Sequence, residues 1–140
     1  MGPAVPRDRA NGHEPTSLNP ELASAIIRAV DARRGDLLDL LRQLIACRTD
    51  SQSEASPEFE GEARRCQDII ASSLADLGAD VHRWDEPPRY PIVAATLPGA
   101  GEGNSLAFNG HIDVVPVGDS SAWFHDPWGA EIDAGRLWGR

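Results

Sequence analysis

Apolar positions recur at helical spacing through the first half of the chain. Leu22, Ile26, Val30, Leu37, Leu41 and Leu44 form one stripe. Asn19 and Pro20 open it as a cap and a first helical residue. Gly35 interrupts the stripe, at about 1 kcal/mol relative to alanine, but the phase carries across it. The pattern therefore predicts one helix running to about Cys47. A second stripe, Phe59, Ala63, Cys66, Ile70, Leu74 and Leu77, follows Ser56-Pro57, which repeats the cap-then-proline start. Gly78 comes just after its last position and suits a left-handed C-terminal cap. The polar residues 48–56 between the stripes read as a loop.

From residue 80 the periodicity changes. Residues 80–84 and 92–97 are short extended pieces, separated by the Pro87-Pro88 break. A glycine-rich turn over 98–104 leads to a third apolar piece, 105–108. Residues 130–133 and 136–138 predict a small hairpin around Ala134-Gly135. Residues 1–18 have no periodicity and predict a disordered arm. Helices followed by strands that include a continuous apolar run imply a layered α/β domain over residues 19–140. In it, two helices pack on a sheet containing 92–97 and 105–109.

Length and charge narrow the class. The 140 residues suit one ordinary domain. The net charge is -9, and the 13 basic residues are all scattered arginines. That argues against binding a phosphate backbone, which needs basic patches. No window approaches the roughly 18 apolar residues of a membrane span, and the N-terminus lacks the apolar core of a secretory signal. Cys47 and Cys66 make no zinc-ribbon or redox motif and read as two semi-buried thiols in a reducing compartment. The expectation is a cytoplasmic protein with no nucleic-acid or membrane partner.

Candidate chemistry concentrates at His111-Ile112-Asp113. In an extended segment, residues two apart share a face, so His111 and Asp113 point the same way. A metal-binding histidine usually gives its other ring proton to a carboxylate or carbonyl, which fixes its tautomer. Asn109-Gly110 just before the triplet suggests a strand's C-terminal end, where open α/β sheets build their sites. Taken alone, such a triplet is more often an accident of surface or core. The other histidines carry less: His13 lies in the arm, His82 sits among charged neighbours, and His125 beside Asp126 reads as an exposed loop pair. Trp123, Phe124, Trp128 and Trp138 read mostly as packing under a long loop. There is no His-Glu-x-x-His helix, no Gly-x-Ser-x-Gly elbow and no phosphate-cradling glycine loop.

A longer pattern surrounds the triplet. It runs Gly110-His111-Ile112-Asp113-Val114-Val115-Pro116, then Gly118-Asp119, then Trp123 with Asp126-Pro127-Trp128, then Gly135-Arg136-Leu137-Trp138-Gly139-Arg140. In order and spacing this resembles the acetylornithine deacetylase, succinyl-diaminopimelate desuccinylase, aminoacylase and glutamate carboxypeptidase family of zinc metallopeptidases. Residues 37–77, with Leu44-Ile45 and Arg48-Thr49, are similar to the family's start. The resemblance implies the N-terminal part of a three-layer catalytic domain, helices packed on a mixed sheet, incomplete. It implies that His111 ligates one metal of a two-zinc centre, with Co2+ or Mn2+ as alternatives. It implies that Asp113 orients the imidazole and supports catalysis, in which water attacks the amide of an N-acyl amino acid or peptide.

The family's Gly-Arg pair, matching Gly139-Arg140, leads into a segment whose aspartate bridges the metals. A Glu-Glu pair, another acidic ligand, a distant histidine and a lid or dimerisation domain follow. None of these falls within the 140 residues, so a homodimer would need the missing domain. The expectation is an N-terminal fragment of a metal-dependent hydrolase, inactive by itself. The alternative is a free-standing, non-catalytic binding fragment.

Overall fold

The computed structural model describes residues 19–50, 57–86, 90–101 and 104–140. The expected arm at 1–18 and the Ser56 cap lie outside the described residues.

Asn19 caps the first helix as its side chain suggests, accepting the Glu21 N–H at 2.8 Å. Helix α1 (Pro20–Ala32) starts on the proline. The single helix expected from the stripe is in fact two. Arg33 leaves helical geometry, at φ -103° and ψ 11°, and its N–H turns back to the Val30 carbonyl at 3.0 Å. Helix α2 (Arg34–Ile45) begins at once. The break falls at Arg33, and Gly35 lies inside the first turn of α2. A one-residue break barely disturbs the phase of a stripe, so periodicity could not reveal it. The chain divides into two units at this point, one ending at Arg34 and the other beginning at Gly35. Within the first, α1 buries none of its residues, and Leu22, Ile26, Ile27 and Val30 are all exposed.

In the second unit, helix α3 (Pro57–Asp76) supplies most of the core. Phe59, Ala63, Cys66 and Ala71 are buried along it, with Cys47 and Thr49 buried just beyond α2. The expected stripe is thus real at Phe59, Ala63 and Cys66, half-buried at Ile70 and Leu74, and exposed by Leu77. Polar bonds join the two helices. The Glu62 carboxylate accepts the Arg48 N–H at 3.1 Å and the Arg65 guanidinium at 3.1 Å. Arg65 also donates to the Ala46 carbonyl at 3.1 Å. Gly78 closes α3 at φ 83°, the left-handed geometry that favours glycine.

Strands β1 (Asp80–Glu86) and β2 (Tyr90–Thr96) pair antiparallel, with His82 opposite Ala94 and Trp84 opposite Ile92. Helix α3 lies on this ladder. Gln67 donates to the Pro91 carbonyl at 3.0 Å. Arg64 grips both oxygens of Asp85 at 3.0 Å each, and Arg83 pairs with Asp68. The expected hairpin is β3 (Glu131–Asp133) with β4 (Arg136–Trp138). Its turn has φ 49° at Ala134 and φ 76° at Gly135, the two positive angles of a two-residue type I′ turn.

Helices with small antiparallel sheets, α3 packed on the β1–β2 ladder, make the α/β class that the sequence implied. One parallel bridge, Asp50 to Val114, adds to the antiparallel ladders. Residues 105–109, expected inside the sheet, are the exception. They form no ladder, and Leu106 and Phe108 stand 77% and 90% exposed. Strand-forming composition expresses a fit to neighbours more than a backbone preference, and no described strand lies alongside this run.

Candidate active site

Residues 111–115 alternate in exposure. His111, Asp113 and Val115 face solvent, while Ile112 and Val114 are half-buried. This is the two-residue alternation of an extended chain. Two bonds to one residue hold it. The Thr49 hydroxyl donates to the Ile112 carbonyl at 2.6 Å, and the Val114 N–H donates to the Thr49 carbonyl at 3.0 Å. They bracket Asp113 from the inner side and leave the outer face to the two polar side chains.

On that face the pair meets. His111 Nδ1 lies 3.0 Å from Asp113 Oδ1 and 2.9 Å from the Asp113 carbonyl oxygen. With its proton on Nδ1 the ring donates to these acceptors, and Nε2 keeps a free lone pair. The His111 side chain is 79% exposed. The expected face-sharing is therefore present. The expected setting, at the end of a laddered strand over 105–109, is not.

The segment is fastened again further along. Arg140 donates from Nε to the Val115 carbonyl at 2.8 Å and from Nη2 to the Pro116 carbonyl at 3.0 Å. Its own N–H reaches the Pro127 carbonyl at 2.7 Å, and its guanidinium lies 5.9 Å from the centre of the Trp123 ring. Trp123 Nε1 donates to the Val117 carbonyl at 2.9 Å. Gly139, beside Arg140, runs close to α2. A Cβ there would come within 2.6 Å of Ile45 Cγ2, so only glycine fits that approach without a shift.

His125 departs from the expected exposed pair with Asp126. Its side chain is 19% exposed, with Nδ1 3.0 Å from Glu131 Oε2, and it stacks on Trp138 at 4.9 Å between ring centres. Asp126 instead holds a turn, accepting the Trp128 N–H at 3.0 Å. The cause is the β3–β4 hairpin, which brings Glu131 and Trp138 to His125. His82 is exposed as expected, 3.4 Å from Asp80. Asp119 accepts the Ser121 N–H and hydroxyl, and these bonds hold its carboxyl below the ordinary range.

The two cysteines are 1% and 3% exposed and lie side by side. Burial first, and the neighbouring Cys47 thiol second, push the Cys66 thiol up to about 12. Burial also raises Cys47. Both are therefore poor nucleophiles and ligands at neutral pH.

Among the described residues, no three His, Cys, Asp or Glu side chains gather to hold an ion. An exposed imidazole with a carboxylate on Nδ1 fits one ligand and its orienting partner. A catalytic zinc takes about three protein ligands, so the described residues fit a share of such a centre. Among the described residues, no helix is long and apolar enough to cross a membrane. Thr49 and Arg140 fasten the segment that carries the pair, and reading the sequence missed both. Both fall in stretches that resemble the family, but nothing in the pattern shows a hydroxyl reaching 63 positions along the chain.

No family model matches the chain. Individual relatives do. It is 42% identical over 84 residues to a succinyl-diaminopimelate desuccinylase of Cereibacter sphaeroides, covering 60% of this chain and 22% of that protein. It is 38% identical over 107 residues to a succinyl-diaminopimelate desuccinylase of Thioalkalivibrio sulfidiphilus, covering 75% of this chain and 25% of that one. The chain thus spans about a quarter of these relatives. Among solved structures, human carnosine dipeptidase 1 superposes with a TM-score of 0.72 at 26% identity, over 84% of this chain and 26% of that one. Shared sequence and shared fold agree with the motif around His111: the chain belongs to the acetylornithine deacetylase, succinyl-diaminopimelate desuccinylase, aminoacylase and glutamate carboxypeptidase family.

Proposed function

We propose that this chain carries the first metal-facing element of a hydrolase that cleaves the amide bond of an N-acyl amino acid or a peptide. The observation that carries the reading is the 3.0 Å contact of His111 Nδ1 with Asp113, which leaves Nε2 as the free donor on an exposed face. The relatives support the reaction class by their names, a desuccinylase and a dipeptidase. In this reading His111 is a ligand through Nε2. Asp113 holds the ring's tautomer and orientation. A divalent cation, zinc in this proposal, supplies a Lewis acid for the amide carbonyl and the attacking water. The described residues offer one such ligand, fewer than the about three of a catalytic zinc, and in this reading they turn over no amide by themselves.

Zinc titration of the 15N-labelled chain tests this. His111 Nε2 should shift, weakly and saturably, with Nδ1 still protonated, and His111→Ala should remove the response. Assays on N-succinyl and N-acetyl amino acids and on dipeptides should show no turnover. Zinc that perturbs His125 or His82 and spares His111 would overturn the ligand assignment. Turnover that disappears in His111→Ala would overturn the inactivity of the chain alone.

A further inference from the structure

We infer that Thr49 is the positioning residue of the His111–Asp113 pair. The inference rests on the reading of that pair as metal-facing and adds a residue to it. Thr49 directs its bonds to the backbone on either side of Asp113. It is 3% exposed and follows the end of α2, and the Cys47 carbonyl holds its N–H at 3.0 Å. From this fixed place it bonds the residues on both sides of Asp113, through its hydroxyl to the Ile112 carbonyl at 2.6 Å and through its carbonyl to the Val114 N–H at 3.0 Å.

These bonds matter because the segment has little else. Residues 104–113 lie in no strand, and among the described residues one isolated bridge, Asp50 to Val114, follows directly after them. An extended backbone without a ladder can rotate about its own axis. Rotation about the Ile112–Asp113 peptide would part the ring from both of its acceptors, since one is the Asp113 carboxylate and the other the Asp113 carbonyl. The hydroxyl bond to Ile112 resists that rotation directly. A valine at position 49 keeps the branched shape and the backbone carbonyl but loses the donor. A serine keeps the donor. Other residues near the pair do not substitute, because Arg140 grips the chain two and three residues later, at Val115 and Pro116.

The test uses the whole 140-residue chain and reads the His111 tautomer by 15N NMR at about pH 9, where an ordinary imidazole is neutral. The wild type and Thr49→Ser should hold the Nδ1–H form. Thr49→Val should shift toward Nε2–H and lose about 10-fold in zinc affinity at His111, the lower end of the range for groups that orient a ligand. A Thr49→Val chain with the wild-type tautomer and zinc affinity overturns the inference while leaving the pair intact. A wild type that lacks the Nδ1–H form overturns the underlying reading of the pair instead. If Thr49→Val loses its dispersed amide spectrum, the unmodified chain decides. A slowly exchanging Thr49 hydroxyl proton with an Overhauser contact to Ile112 or Asp113 supports the inference. A fast-exchanging hydroxyl with no such contact overturns it.

Discussion

Removing the Arg140 side chain should loosen the segment after Asp113 without unfolding the core. Arg140→Ala deletes donors at 2.8 Å to Val115 and 3.0 Å to Pro116, and the guanidinium lying over Trp123. Hydrogen bonds with a charged partner contribute about 1.5–3 kcal/mol each when well shielded. Val115 is 62% exposed, so water replaces much of what its carbonyl loses, and about 1 kcal/mol per bond is the fair figure here. An exposed cation–π contact adds about 0.5 kcal/mol. The loss is therefore about 2.5 kcal/mol, or about 60-fold in a local opening equilibrium. Native-state hydrogen exchange reads it at the Val114 amide, which is bonded to Thr49 and opens with its neighbours. Its protection should fall about 60-fold, while amides of the β1–β2 ladder change little. Arg140→Lys keeps the charge but not the planar fork and should recover only part. Val114 protection within about threefold of wild type, or an equal fall in the β1–β2 ladder, would refute the idea that Arg140 clamps this segment locally.

Two further outcomes follow from burial and exposure. The Cys66 thiol is pushed up to about 12 in the folded chain, above its ordinary value of about 8.5. The native state therefore favours the neutral thiol, and stability that is whole below about pH 8.5 falls as pH rises towards 12. Urea midpoints at about pH 8 and about pH 11 should show a drop that flattens in Cys66→Ala; parallel curves for the two chains would sink the assignment. Leu106 and Phe108, 77% and 90% exposed on an unladdered run, should drive concentration-dependent self-association. Sedimentation should show more monomer for Phe108→Glu, and a wild type monomeric at all concentrations would contradict this.

The sequence made the locally determined parts legible. The Asn19 cap, the Phe59–Ala63–Cys66 face, the Gly78 stop and the Ala134-Gly135 turn each depend on residues within one or two turns of chain. The break at Arg33 was hidden because Leu37 and Leu41 stay in phase with Leu22 and Ile26 across it. The failure at 105–109 has the opposite cause. Its residues suit a strand, but a strand is a relation to a neighbour, and composition cannot say whether the neighbour is there. The shared face of His111 and Asp113 was legible because two-residue alternation is a local rule. Thr49 and Arg140 were not, because their bonds to residues 112–116 cross the chain. His125 was misjudged for the same reason: Asp126 is its neighbour in sequence, Glu131 and Trp138 in space.

That division explains how a long motif can carry one proposed ligand. From Gly110 to Arg140, the His111–Asp113 pair leaves a ring nitrogen free on an open face, whereas His125 is 19% exposed against Glu131 and Trp138. Asp119 and Asp126 hold turns through their carboxylates. Trp123 and Arg140 hold the backbone of residues 115–117, and Gly139 lets the chain pass Ile45. A metal ligand must be held within about 0.5 Å of its productive place. A laddered strand achieves that with its neighbours' backbone bonds. Residues 111–115 have one such bridge, so side chains from after α2 and after β4 do the remaining work. The spacing of the motif is then set by where those elements return to the segment, which is why most of its residues are fasteners and few are chemistry.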